Sequence, residues 1–299
     1  VKEAYALRLG GQKITELLGG RATHPVSLGI GRFLKPITEE TITEMQKTAT
    51  DIKQRVTRLI RTGKFQQSQN RILLPKEQRL NFLCVEDSRK GRQFRIYDRE
   101  GHATDLFDGD EFPDHISEMR GGDSLAKIPY LTRLGFPGGI LMVGPLARFI
   151  SEHGPLADEE ISGLEIASIF KDKSGLTMDS FDICRLLEIL WAAKRILKLS
   201  QDLDLSEIRH QVDTNVSGKG MGIIEAPRGV LVHTYLINRG ILEKARLLVA
   251  TQFNNAFINL LIRDIAEKHA LKDGLSEEGE YLIGRCVRLF DPCLSCATH

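Results

Sequence analysis

The stretch from Ser180 to Leu199 constrains the fold most. Ile183, Leu186, Leu187, Leu190, Ile196 and Leu197 recur at helical spacing and make a broad apolar stripe, the pattern of a helix in a bundle core. Asp179 or Ser180 is placed to cap its start. The segment carries Cys184 and the only tryptophan, Trp191. A cysteine buried in a bundle is a small hydrophobe, so Cys184 is read as packing, and Cys286 with it.

Similar periodicity predicts helices over 1–18, 38–60, 158–170, 252–270 and 277–290. Gly10-Gly11 weakens the first by about 1 kcal/mol per glycine relative to alanine. The second has Thr38 as its cap and Glu39 and Glu40 in its first turn. Alternating apolar residues predict strands within 81–98 and 221–250, the latter turning at Asn238-Arg239-Gly240. Residues 126–150 read as loop and strand closed by a Gly144-Pro145 turn. The expected class is therefore mainly α (α+β), a helix-bundle core with small antiparallel β elements.

No linker divides the chain, so one domain over 1–299 is expected, with an insertion at about 80–125. The acidic part of that insertion, 99–123, holds Asp105, Asp108, Asp110 and Glu111. These are oxygen donors, but their spacing is not that of an EF-hand, and the stretch is read as solvated surface.

Composition removes several function classes. The chain has 299 residues, 41% hydrophobic and 27% charged, with a net charge of +1. That balance offers no basic excess for a nucleic-acid partner, and no apolar run of about 18 residues encodes a membrane span. The start, with Lys2, Glu3 and Arg8 close together, is not a signal peptide. Five cysteines, three of them isolated, fit a reducing, cytoplasmic setting better than a disulfide framework.

The chemistry concentrates in the last nine residues, Asp291-Pro292-Cys293-Leu294-Ser295-Cys296-Ala297-Thr298-His299. Cys293, Cys296 and His299 stand at three-residue intervals. Thiolates at i and i+3 can chelate one metal from a single turn, and Pro292 stiffens the approach. A lone Cys-x-x-Cys is equally half of a zinc knuckle, a redox dithiol or a chance pair. Residue types alone leave these open.

Asp-Pro-Cys-x-x-Cys-x-x-His resembles the C-terminal signature of nickel–iron hydrogenase large subunits, in which a protease cuts after the histidine. Three further stretches resemble that family: Glu225-Ala226-Pro227-Arg228-Gly229, Gly19-Gly20-Arg21-Ala22-Thr23-His24-Pro25 and Val143-Gly144-Pro145-Leu146-Ala147-Arg148. They lean toward its cytoplasmic, multi-subunit, bidirectional branch. The match runs from about residue 19 to the end, the C-terminal two-thirds of the family's chain. Gly31-Arg32-Phe33 stands where relatives carry Gly-Gly-Phe.

The resemblance implies reversible oxidation of H2 to protons and electrons at a nickel–iron centre whose iron carries carbon monoxide and cyanide. Cys293 would bind nickel terminally and Cys296 would bridge the metals. The family uses four thiolates, and this chain has no second Cys-x-x-Cys. The upstream third is expected on another polypeptide, lost, or outside these residues. Arg228, following Pro227, would lie over the open metal position, as a hydrogen-bond donor to cyanide or in proton transfer. Cys293 and Arg228 are the candidate bases. Without the resemblance, a buried Arg228 would simply tether a carboxylate, and Asp291 is the partner expected for it. His299 would hold a structural magnesium ion with a backbone carbonyl near Leu247. His24 would line the wall of the active-site region, although a histidine before proline is more often structural.

The chain has no cysteine set for an iron–sulfur relay. A small iron–sulfur subunit carrying the clusters is therefore implied as partner. Further subunits of diaphorase, deazaflavin or disulfide-reductase type would take the electrons onward. Two other classes compete: a non-catalytic scaffold like the hydrogenase-related subunit of respiratory complex I, and a zinc-binding structural protein using Cys293, Cys296 and His299.

Overall fold

The computed structural model describes residues 2–29, 32–62, 79–88, 91–121, 124–151, 154–170, 177, 180–201, 203 and 215–298. His299 and part of the Gly31-Arg32-Phe33 turn lie outside the described residues. Two compact units partition the chain, 1–66 with 185–215 and 67–184 with 216–299.

In the first unit, α1 (Lys2–Gly19) is followed by the two-residue strands β1 (Leu28–Gly29) and β2 (Arg32–Phe33), then by α2 (Glu39–Arg61). The α2 cap is the expected one: the Thr38 hydroxyl accepts from the Thr41 amide. Met45, Ala49, Ile52, Val56 and Ile60 recur every three or four residues and form its buried stripe. Gly10 lets α1 approach α2, since a Cβ there would meet Ile52 Cγ1 at 2.9 Å. Expected only as a weak point in the helix, this glycine is a packing contact.

The second unit contains β3 (Asn81–Ser88), β4 (Gly91–Tyr97), β5 (Ala103–Asp108), α3 (Phe112–His115), β6 (Ile116–Arg120), β7 (Lys127–Leu131) and β8 (Leu141–Met142). After these come α4 (Pro145–Ile150), α5 (Glu159–Ser162) and α6 (Ser180–Leu199), whose first turn lies in this unit and whose remainder lies in the other. The chain closes with β9 (Gly218–Ala226), β10 (Gly229–Asn238), β11 (Ile241–Leu248), α7 (Ala250–Lys268), the short pair β12 (Ala270–Leu271) and β13 (Gly274–Leu275), α8 (Glu277–Phe290) and α9 (Leu294–Ala297).

Three helices and the two main β regions fall close to their expected places, and two expectations are corrected. The acidic 99–123 stretch is not a solvated insertion. Ala103–Asp108 pairs with β4, and Ile116–Arg120 pairs with β7. Its carboxylates are used internally: Asp105 meets Arg133 at 3.2 Å and His115 at 3.5 Å, and Gln93 donates to Asp108 at 2.6 Å. Phe107 and Phe112 carry it into the core. The expected helix over 158–170 is broken at Gly163 into α5 and a 3-10 segment from Glu165 to Phe170. The small sheets are antiparallel except where β8 joins β3 in parallel.

One apolar cluster links the four-stranded sheet (β5-β4-β3-β8), the three-stranded sheet (β11-β10-β9) and the first turn of α7. Leu83, Phe94 and Ile96 come from the first, Val230, Val232 and Leu248 from the second, and Phe253 from the helix. A second seam joins α7 to α8, where Phe257 and Phe290 meet edge-on at 6.0 Å between ring centroids. The α8 end and the β9–β10 turn are thus both built on well-packed elements.

Candidate metal centre

The C-terminal turn is produced by the way α8 stops. Ser276 caps the helix by accepting from the Gly279 amide, Glu277, Glu278 and Glu280 sit in its first turn, and Leu282, Cys286, Leu289 and Phe290 are buried. It ends because Asp291 adopts a left-handed conformation, φ +47°, which short polar residues tolerate, and Pro292 cannot continue the ladder. The chain reverses and enters the single turn of α9 from Cys293.

That turn brings the two cysteines together. Their Cα atoms are 5.3 Å apart and the sulfurs close a disulfide. The Cys293 amide donates to the Thr251 hydroxyl at 3.0 Å, and Thr251 is buried on the first turn of α7. Cys293 is half-buried and Cys296 exposed. Cys84, Cys184 and Cys286 are buried elsewhere as free thiols. Burial pushes the Cys286 thiol up to about 12, far from thiolate chemistry at neutral pH.

Arg228 arrives from a different element. Ala226 pairs with Gly229, so Pro227 and Arg228 form the two-residue tip of the β9–β10 hairpin. Arg228 Nη2 lies 2.7 Å from Asp291 Oδ2, and its Nε donates to the Asp291 carbonyl at 2.5 Å. The expected pairing is therefore present, engaging both side chain and main chain. Arg228 is half-exposed, so it is not the buried arginine that the tethering alternative assumed.

The hairpin tip is held from below by the Gly144-Pro145 turn. Arg148, on α4, donates through Nη1 to Glu225 Oε1 at 2.7 Å and to the Ala226 carbonyl at 3.0 Å. Its Nη2 donates to the Pro227 carbonyl at 2.9 Å. The other Glu225 oxygen accepts from the Val85 amide at 2.9 Å. Gly144 and Gly229 have φ of +105° and +132°. A Cβ on Gly144 would meet the Arg228 carbonyl at 2.7 Å, and one on Gly229 would meet Val143 Cγ2 at 2.3 Å. Asn254, buried on α7, accepts the Val143 amide at 2.9 Å. Thus α7 braces the cysteine turn through Thr251 and the Gly144-Pro145 turn through Asn254.

Leu247 sits half-buried near the end of β11, opposite His233 on β10. His24 is exposed, with φ +54°, and belongs to the other unit. Sequence reasoning missed the roles of Arg148, Glu225, Thr251 and Asn254. The first two stand inside the family-like motifs, whereas nothing local marks the others.

A model of the nickel-dependent hydrogenase family matches residues 123–299, well over half of the chain and every motif just described except Gly19–Pro25. The chain belongs to that family. Among relatives of this hydrogenase chain is the large component of that kind from Methanococcus voltae named for the vhc F420-non-reducing hydrogenase, 30% identical over 319 residues, covering 100% of this chain and 66% of the relative. Another is the NAD-reducing hydrogenase HoxS subunit beta of Cupriavidus necator, 36% identical over 215 residues, covering 69% and 44%. The fold matches an NAD+-reducing [NiFe]-hydrogenase in the H2-reduced state with a TM-score of 0.85 at 25% identity, covering 100% of this chain and 68% of that one. The chain thus spans 66% of the length of the first of these curated relatives.

The donor chemistry fits half of a soft, thiolate-held metal pair. Two sulfurs converge on one turn, and that turn is fixed to α7 and α8. Among the described residues, no group of three or more histidine, cysteine or acidic side chains could hold a metal alone.

Proposed function

We propose that this chain is the C-terminal part of the catalytic subunit of a nickel–iron hydrogenase, and that its assembly interconverts H2 with protons and electrons. The observation that carries the proposal is the meeting of the two motifs: Arg228 bonds Asp291, two residues before a cysteine pair on one turn. Family membership supplies the reaction class.

A bound nickel–iron pair, its iron carrying carbon monoxide and cyanide, supplies the site that takes up H2 and its electrons. Cys293 and Cys296, reduced to thiolates, hold it, and soft sulfur suits a redox-active metal. Two further thiolates come from sequence outside these 299 residues, on the same or another polypeptide. Cys293, as terminal ligand, accepts the proton that heterolytic cleavage releases.

Arg228 presents N–H donors toward the anionic side of the site while Asp291 fixes its plane; a guanidinium stays protonated, so its role is donation. Pro227 limits the freedom of that tip. His299, with the Leu247 carbonyl, holds a magnesium ion that secures the chain end.

Electrons leave through an iron–sulfur subunit, since the remaining cysteines of this chain are dispersed and buried. Onward transfer to a nicotinamide, deazaflavin or disulfide-reductase subunit follows from the relatives' names. No helix among the described residues is long and apolar enough to cross a membrane. The three buried free thiols favour a reducing, cytoplasmic location.

The test is metal content with H2-dependent viologen reduction in the natively purified assembly. Nickel and iron in equal amounts, with activity abolished by Cys293→Ser and by Cys296→Ser, is the expected result. Zinc alone, with no H2-dependent reduction, overturns it.

A further inference from the structure

We propose that Arg148 is a positioning residue, the clamp that sets where Arg228 is presented beside the cysteine turn. This rests on the hydrogenase reading above and assigns a new role within that site.

The geometry is a fork closed on a backbone. Arg148 spans two consecutive carbonyls, Ala226 at 3.0 Å and Pro227 at 2.9 Å, while also pairing with Glu225 at 2.7 Å. A planar guanidinium can satisfy all three with its fixed donor directions, and an ammonium cannot. The clamp grips residues immediately before Arg228, on a two-residue hairpin tip with few other constraints. The reverse side of the tip is pressed against Gly144, where a Cβ would come within 2.7 Å of the Arg228 carbonyl. Arg228 is therefore held at its backbone by α4 and at its guanidinium by Asp291.

Arg148 also lies in the right environment for such a role. Its side chain is 12% exposed and that of Glu225 is 18% exposed, so solvent screening of the pair is weak. Arg148 donates to the site's frame, whereas Arg228 is the group that faces the metals. Displacement of a reacting-site donor by about 1 Å can cost roughly 100-fold in rate, so a small slackening at the tip is amplified in turnover.

Arg148→Lys tests this in the intact assembly. It keeps the charge opposite Glu225 and loses the fork. Arg148→Ala would leave Glu225 uncompensated and is uninformative if it fails to fold. Three readouts separate positioning from general stability. Hydrogen exchange should quicken at least threefold in peptides spanning 223–232 and stay unchanged in α7. The cyanide bands in the infrared should shift. The kcat for H2 should fall by about tenfold or more, with KM unchanged.

Unchanged exchange at the hairpin tip overturns the clamp, and so does faster exchange without any shift in the bands or in kcat. Wild-type assembly lacking cyanide bands overturns the hydrogenase reading, and with it the role toward the metals; exchange then still reports whether the clamp exists.

Discussion

Arg228 and Asp291, 63 positions apart, meet at 2.7 Å between Nη2 and Oδ2, with a second bond from Nε to the Asp291 carbonyl. Two chain reversals make that contact: the β9–β10 hairpin tip and the left-handed stop of α8. The pair is 46% and 61% exposed, so its charge attraction is screened and contributes under about 1 kcal/mol to stability. Its value is orientation. Asp291→Asn should leave the denaturation midpoint almost unmoved and lower H2 oxidation by about tenfold or more. A large loss of stability with turnover preserved would contradict a functional role for the pair.

The two glycines behind the hairpin tip should be intolerant. Gly144→Ala and Gly229→Ala place a Cβ against backbone or Val143 at positive φ, and each should cost about 1–3 kcal/mol. Gly222→Ala, where a Cβ meets nothing within 4 Å, is the control on the same hairpin and should be near neutral. Urea titration of the three variants decides. Equal effects would show that the close approach to Gly144 has no energetic weight.

Thiol chemistry should divide the five cysteines sharply. After reduction without metal, alkylation at pH 8 should modify Cys293 and Cys296 and spare Cys84, Cys184 and Cys286, which are all buried. Mass spectrometry of the digested protein reads the sites. Rapid labelling of Cys286, whose thiol is pushed up to about 12, would contradict its burial.

Glu86 provides a pH signature away from the site. Burial pushes its carboxyl up, but hydrogen bonds from Tyr97 at 2.7 Å, Arg95 at 2.7 Å and Ser151 at 3.0 Å, together with the Arg95 charge, outweigh it and hold it below the ordinary value of 4.5. A depressed carboxylate stabilises the fold above its unfolded pKa, and that stability is lost as pH falls through the folded one. The gap in urea midpoint between the wild type and Glu86→Gln should therefore hold constant from pH 7 to 5 and shrink below 4.5. A gap independent of pH would contradict the network.

Much of this arrangement was legible in the residues. The α6 stripe, the Thr38 cap, the β9–β10 alternation and the C-terminal cysteine spacing all act through near neighbours, and near neighbours are visible in sequence. The pairing of Arg228 with Asp291 followed because each motif left one charge to satisfy. Hidden were contacts that depend on long chain separation. Arg148 reaches carbonyls 78 and 79 positions away, and Asn254 an amide 111 away. The acidic 99–123 stretch misleads for the same reason: its carboxylates look solvated because Arg133 and His115, their partners, are assigned only by the fold.

An infrared spectrum of the natively purified assembly, recorded under H2 and then under air, tests the central claim most directly. A nickel–iron centre held by Cys293 and Cys296 predicts bands of metal-bound carbon monoxide and cyanide that shift between the two gases. A spectrum silent in that region, from protein that contains zinc and no nickel, would contradict it.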